Sequence, residues 1–311
     1  MLSRVAETIY WLARYMERTQ TMLQVVRIHY IAKQDEQHYP GWQGLLHNYG
    51  DLEDEEIEAV APFTARVLHH LLLDKGNGAS AFNAIGQGRE NARAVQDHIS
   101  KEVWQSLNDF YHVIRQPEIA QQILADDPVS GIDALLRQNV LYTGTVQNAM
   151  PRDEGYTFLN LGKFLERALQ TVAILQLHCA ALVPDAAEAT APPQVRYLLL
   201  SLYGYEQYVK TYKGQFSPAH ALQFAVHDVD FPHSLTYALG QLVRFGERLQ
   251  GRTVPEHYEQ VRFLLGRVKT NVEYHRFAPG DAAGLDAFLQ QTRQELLDVG
   301  DAFGTYYFGH S

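Results

Sequence analysis

Apolar residues recur along this chain at three- and four-residue steps, the spacing that places side chains on one face of an α-helix. Leu2, Val5, Ile9, Leu12, Met16 and Leu23 make one such stripe over 2–31, and Arg4, Glu7, Trp11, Arg14 and Arg18 gather on the opposite side. Ser3 reads as the N-cap, because its hydroxyl can accept from an unpaired first-turn amide. The same period returns over about 55–73, 80–114, 117–125, 129–149, 154–182, 194–213, 218–226, 234–250, 255–276 and 284–305. Breaks fall at His38-Tyr39-Pro40-Gly41, Gly76-Asn77-Gly78, Pro117, Asp127-Pro128, Pro151, Ser217-Pro218, Phe231-Pro232 and Pro279-Gly280, where glycine and proline end helices. Thr253-Val254-Pro255-Glu256 has capping-box spacing with proline at the first helical position. Pro184–Pro193, rich in alanine, is the one linker-like run. No stretch alternates in period two for long enough to predict a strand, so the fold class is all-α.

The pattern also repeats. Leu12-Ala13-Arg14-Tyr15-Met16-Glu17-Arg18 aligns with Leu161-Gly162-Lys163-Phe164-Leu165-Glu166-Arg167, and Asp74 followed by Ser80 aligns with Asp228 followed by Ser234. The expected architecture is a helical bundle of two quasi-equivalent, duplicated halves, 1–150 and 151–311, with a polar cleft between them as the natural place for a ligand.

Composition narrows the chemistry by exclusion. Thirty-six acids against 26 bases give a net charge of −10, so no global field draws the chain to nucleic acid or an anionic membrane. One cysteine, Cys179, excludes a disulfide framework and a Cys-based zinc site, and fits a reducing, cytoplasmic setting. Charges interrupt the apolar run at the N-terminus, so neither a signal peptide nor a membrane span is expected.

Local charge is more informative. Arg14-Tyr15-Met16-Glu17-Arg18, Lys163-Phe164-Leu165-Glu166-Arg167 and Arg244-Phe245-Gly246-Glu247-Arg248 share one pattern, and Arg89-Glu90-Asn91-Ala92-Arg93 varies it. Two bases four residues apart share a helix face and repel by a few tenths of a kcal/mol. One glutamate cannot neutralise both, so each cluster keeps a surplus positive charge. Such a cluster is either a solvated face completed by neighbouring acids or a polar groove offering forked guanidinium groups to a carboxylate or phosphate. On the second reading Arg14, Arg18, Lys163 and Arg167 bind the anion, and Arg89, Asn91 and Arg93 line the same space. Ser80 and Ser234 offer free amides at helix starts, while Glu17 and Glu166 orient the bases or exchange protons as the catalytic pair.

These residues, with Met1-Leu2-Ser3-Arg4-Val5-Ala6-Glu7, Tyr10-Trp11-Leu12, Trp42, Leu45-Leu46, Trp104, Leu107-Asn108, Pro232-His233-Ser234 and Tyr306-Tyr307-Phe308, resemble the bacterial alpha-E family along essentially the whole chain. The resemblance implies a partner of a circularly permuted ATP-grasp ligase, accompanied by a transglutaminase-like peptidase, in a system that makes or processes a peptide or other amide-bonded product. ATP and magnesium would then belong to the ligase, and a small acidic or peptidic substrate to the cleft. Gly78-Ala79 and His233 depart from the family pattern, which favours Pro-Ser and arginine there. A non-catalytic scaffold that docks the ligase, its charge clusters serving as interhelical salt bridges, is the competing class.

Other motifs carry less. Gly76-Asn77-Gly78-Ala79-Ser80-Ala81 has dinucleotide-loop spacing but follows a leucine-rich helix rather than a strand. His69-His70 and His227-Asp228 lack a convincing order of metal ligands, so neither a metal nor a cofactor is expected on this chain. The acidic run Asp51–Glu56 suits a helix start.

Overall fold

The computed structural model describes residues 1–36, 39–182, 193–251 and 254–309. Among them the chain is α-helical, with no strand. The helices are α1 (Ser3–Asp35), α2 (Gln43–Tyr49), α3 (Asp54–Val60), α4 (Thr64–Leu68), α5 (Ala81–Ala94), α6 (Lys101–Ile114), α7 (Pro117–Gln121) and α8 (Pro128–Ala149). They continue with α9 (Glu154–Leu177), α10 (Cys179–Leu182), α11 (Pro193–Ser201), α12 (Tyr205–Tyr212), α13 (Pro218–His227), α14 (Leu235–Glu247), α15 (Pro255–Tyr274) and α16 (Ala282–Phe303). The alanine-rich run 184–192, His38 and the expected cap residue Thr253 lie outside the described residues. No described helix is long and apolar enough to cross a membrane.

Several expected helices differ in their limits, each for a local reason. α1 begins at Ser3 itself, and the carbonyl that receives its first bonds, from Val5 and Ala6, is that of Leu2. The helix expected over 80–114 is two, because Ser100 caps a new start by accepting from the Val103 amide at 3.3 Å. The helix expected over 194–213 breaks at Tyr203, whose φ is +59°. A Cβ on Gly204 would come within 2.7 Å of Phe231 and 2.8 Å of Phe224, so close packing fixes that elbow. Tyr197 therefore lies on α11, Tyr203 at the elbow, and Tyr205, Tyr208 and Tyr212 on α12.

Contacts divide the chain into two units, Trp11–Tyr156 and a second made of Met1–Tyr10 with Thr157–Ser311. The first ten residues thus group with the C-terminal half. Tyr10 explains why: its ring lies 5.9 Å from Phe303 and 5.2 Å from Phe308, and Gly162 lets the α9 backbone approach its carbonyl.

In the unit Trp11–Tyr156, α6 packs between α5 and α8. Here α1 is buried on nearly every side: Arg14 and Glu17 are buried along with Leu12, Met16 and Leu23. On the face opposite the apolar stripe Arg14 is buried and Trp11 and Arg18 are half-buried, so that face is only partly open to solvent. In the other unit α15 packs between α14 and α16, and α13 leads into α14.

The loops opening α5 and α14 share one set of bonds. The Ser80 hydroxyl donates to the Asp74 carbonyl at 2.7 Å and accepts from the Asn83 amide at 3.2 Å. The Ser234 hydroxyl donates to the Asp228 carbonyl and accepts from the Tyr237 amide at 3.0 Å. In each loop the aspartate carboxylate accepts from the amide two residues on, Gly76 at 2.8 Å and Asp230 at 2.9 Å. Both serines are fully buried, so truncation leaves the helix-start amide without its partner. Ser80→Ala and Ser234→Ala are each expected to cost about 1–2 kcal/mol, read as a fall in melting temperature of about 2–4 °C per kcal/mol.

Candidate functional site

Burying a carboxylate removes it from water at a cost of several kcal/mol unless hydrogen bonds and opposite charge replace its hydration. The chain does this at the same motif position in both units: Glu17 is 4 % exposed and Glu166 is 1 % exposed.

In the unit Trp11–Tyr156 the Arg14 guanidinium lies 4.5 Å from the centre of the Trp11 ring, a cation over an aromatic face. Across from α1, Asn139 of α8 donates from Nδ2 to the Met16 carbonyl at 3.0 Å. Tyr142 follows one turn later. It is buried, and its hydroxyl has no hydrogen-bond partner among the described residues. Burial, with the Glu17 carboxylate nearby, pushes the phenol well above its ordinary pKa. A protonated phenol on α8 thus lies near the buried Glu17 carboxylate of α1.

The second cluster is built on α9. Gln170, four residues after Glu166 and so on the same helix face, donates from Nε2 to Glu166 Oε1 at 2.9 Å. Arg167 donates from Nη1 to the Pro232 carbonyl at 3.2 Å, and the Thr171 hydroxyl donates to the His233 carbonyl at 3.1 Å. These bonds fasten the start of α14 to α9. Phe164 lies below both cations, 5.3 Å from Lys163 Nζ and 5.4 Å from the Arg167 guanidinium. Desolvation, then the charges of Arg167 and Lys163, hold the His233 imidazole well below the usual histidine range, so it is neutral at physiological pH. The Tyr203 ring lies 5.4 Å from it.

The structure therefore brings Arg14, Glu17 and Arg18 together on α1 in one unit, and Lys163, Glu166 and Arg167 together on α9 in the other. Each of the six is engaged in at least one polar or ring contact. The remaining expected residues do other things. Glu90 bridges Arg89 and Arg93, each at 2.6 Å, and Arg89 also donates to Asn108 at 2.9 Å and lies over Tyr111 at 4.7 Å. Its partners are on α6 and its own helix, while Asn91 is half-buried beside it. Ser80 and Ser234, expected to offer amides to an anion, use their hydroxyls to cap helices. Arg244, Glu247 and Arg248 are exposed, a solvated face. Periodicity did not single out Asn139, Tyr142 or Gln170. Only Gln170 carried a local signal, its four-residue step from Glu166.

No group of three or more potential metal ligands occurs among the described residues. His70 instead faces Asp74 Oδ2 at 3.1 Å and the Gly50 carbonyl at 2.6 Å, and His227 faces the Val272 carbonyl at 3.0 Å.

The Alpha-E family model, described as a predicted alpha-helical domain with a conserved ER motif, matches residues 1–308. An uncharacterized protein of Mycobacterium bovis is 26 % identical over 261 residues, covering 77 % of this chain and 29 % of its own length. An uncharacterized protein of Mycobacterium tuberculosis is 25 % identical over the same coverage. The chain thus spans less than a third of the length of these relatives. No solved structure matches.

Proposed function

We propose, from the premise that this chain belongs to the Alpha-E family, that it is a component of an ATP-grasp-linked system that forms amide or peptide bonds or processes peptides. Its Glu-Arg helices bind an anionic substrate or intermediate. Arg14 and Arg18 on α1, and Lys163 and Arg167 on α9, supply the positive charge. Glu17 and Glu166 orient those bases or exchange a proton with the ligand. ATP and Mg²⁺ reside on the partner ligase, and the cytoplasm is the setting of the reaction.

The observation that carries this reading is the burial of both Glu17 and Glu166, each at the same position of its Glu-Arg motif. A surface charge pattern needs no such burial, and one structural ion pair does not call for a second at the equivalent motif position. The scaffold reading draws on the Arg89–Glu90–Arg93 bridge, which consumes one cluster in ordinary surface pairing.

Glu17→Gln combined with Glu166→Gln separates the two. If the carboxylates act on a ligand, the variant melts within a few degrees of the parent and still co-purifies with the ATP-grasp partner. Its ATP-dependent product formation, followed by mass spectrometry on a pool of amino acids and peptides, then falls by about 100-fold or more. A variant that loses melting temperature and partner binding together, with product formation falling only in proportion to complex, establishes the scaffold.

A further inference from the structure

Away from the Glu-Arg helices, the unit Met1–Tyr10/Thr157–Ser311 holds a groove of about 630 Å³ along α14 and α15, within the roughly 300–1,000 Å³ that small-molecule sites occupy. Val243, Tyr258, Val261 and Leu265 make much of its wall, with the Phe263 ring, which is 63 % exposed. Gly266 keeps it open, since nothing lies within 4 Å of a Cβ built there. The charged side chains that line it, Glu247, Glu259, Arg262 and Arg267, cancel one another in a chain of net charge −10. The groove therefore matches a neutral guest.

Two of the lining residues, Arg267 and Asn271, lie against Glu295 of α16. Glu295 is 8 % exposed. Its Oε1 accepts from Asn271 at 2.8 Å and from Gln291 at 3.2 Å, while Oε2 has no hydrogen-bond partner among the described residues. Arg267 donates from Nη2 to Asp298 at 3.3 Å. Its Nε also has no partner and stands 3.8 Å from Glu295 Oε1, too far for a hydrogen bond. Neither atom touches solvent. A buried donor beside a buried acceptor, both unmet, costs stability that a suitable guest recovers.

We propose that this groove binds a small neutral molecule with an apolar body and a carboxamide end. The carboxamide carbonyl accepts from Arg267 Nε, and its N–H donates to Glu295 Oε2. A carboxylate only accepts and meets the charge of Glu295; an ammonium only donates and meets that of Arg267. A hydroxyl does both from one atom, whereas the carboxamide turns a separate atom to each partner. Binding turns the Arg267 side chain, which is 37 % exposed and tied to Asp298 by a long bond, so that both atoms face the guest. The apolar body lies against Phe263 and Leu265. None of these residues belongs to α1 or α9, so the site is independent of the anion-binding reading.

The test uses the full chain with benzamide as probe, and benzoate, benzylammonium, benzyl alcohol and toluene as contrasts that keep the ring. The Arg267 Nε–H resonance, assigned with Arg267→Lys, is followed by ¹H–¹⁵N NMR. The expected result is a saturable shift of that resonance, with benzamide bound roughly tenfold or more tightly than any contrast. Arg267→Lys keeps the charge but lacks the Nε–H, and should weaken benzamide binding by roughly fivefold or more. Gly266→Leu puts a side chain into the open groove, and should abolish binding while the melting temperature stays within a few degrees. It also covers the case in which Arg267→Lys does not fold. Any contrast that binds as tightly as benzamide overturns the carboxamide assignment. Benzamide that leaves the Arg267 signal unmoved, still binds Gly266→Leu, or does not bind the parent chain overturns the site, and each of these outcomes leaves the anion-binding reading where it was.

Discussion

Gly162→Ala lowers the melting temperature by about 6–12 °C, the equivalent of about 3 kcal/mol or more. A Cβ at position 162 would lie 2.2 Å from the Tyr10 carbonyl oxygen and 3.0 Å from its carbonyl carbon. The obstacle is backbone, so no side-chain rotation relieves it, and α9 must withdraw from the first turns of α1. That withdrawal also loosens Tyr10 from Phe303 and Phe308, and it moves the helix that carries Lys163, Glu166 and Arg167. Gly266 of α15 is the control. Nothing lies within 4 Å of a Cβ built there, so Gly266→Ala gains about 0.5–1 kcal/mol of helix propensity and raises the melting point slightly. Differential scanning calorimetry of both variants decides it. Equal and small shifts at the two positions would mean that the α1–α9 approach does not constrain the fold.

Gly162 also illustrates what could be read from the chain without coordinates. It stands inside the Glu-Arg motif, in a helix where glycine is otherwise a poor choice, yet its reason is a contact with a residue about 150 positions away. The helices themselves were legible because their apolar period is strong and their caps are local. Ser80, Ser234, Asp127-Pro128 and Pro255 each open a helix at or beside the position their chemistry predicts. The interruptions at Val95–Ser100 and Leu202–Gly204 were not legible. The second depends on Phe224 and Phe231 closing over a glycine, a tertiary effect with no period.

The candidate site divides the same way. Glu17 and Glu166 stand out as charged residues repeated in one motif, and their burial was foreseeable only as one of two readings. Asn139 and Tyr142 of α8 approach Met16 and Glu17 of α1, and their own sequence neighbourhoods give no sign of it. Arg89 and Arg93 read like the other clusters in sequence and differ in space, because Glu90 lies between them and reaches both. Spacing on a helix says which side chains share a face. Whether that face meets water or another helix is decided by the packing.

Acidification from pH 7.5 to 5 destabilises the unit Met1–Tyr10/Thr157–Ser311 before it touches Trp11–Tyr156. Every histidine with a resolved shift among the described residues, His178, His227, His233 and His275, belongs to the former, and all four are depressed. Burial alone lowers His178 to about 4. In the unfolded chain this ring takes a proton as the pH falls through about 6.5. In the folded chain it stays neutral until about pH 4, so the unfolded state binds more protons throughout that window. Stability therefore falls with pH, by about 2 kcal/mol at pH 5 from His178 alone, and His233 adds in the same direction. The resolved carboxylate shifts of the other unit act later. Asp74, lowered by the Gly76 amide and His70, and Asp127, lowered by Ser130, hold a stabilisation that is lost only as the pH drops below their unfolded value of about 3.8. Hydrogen exchange at pH 5, corrected for the intrinsic rate, should show α13–α16 opening while α5, α6 and α8 stay protected. His178→Gln should flatten the fall of melting temperature between pH 6.5 and 5. A melting temperature constant across that range in the parent chain, or unchanged in slope by the substitution, would show that the buried imidazole finds its proton as readily folded as unfolded.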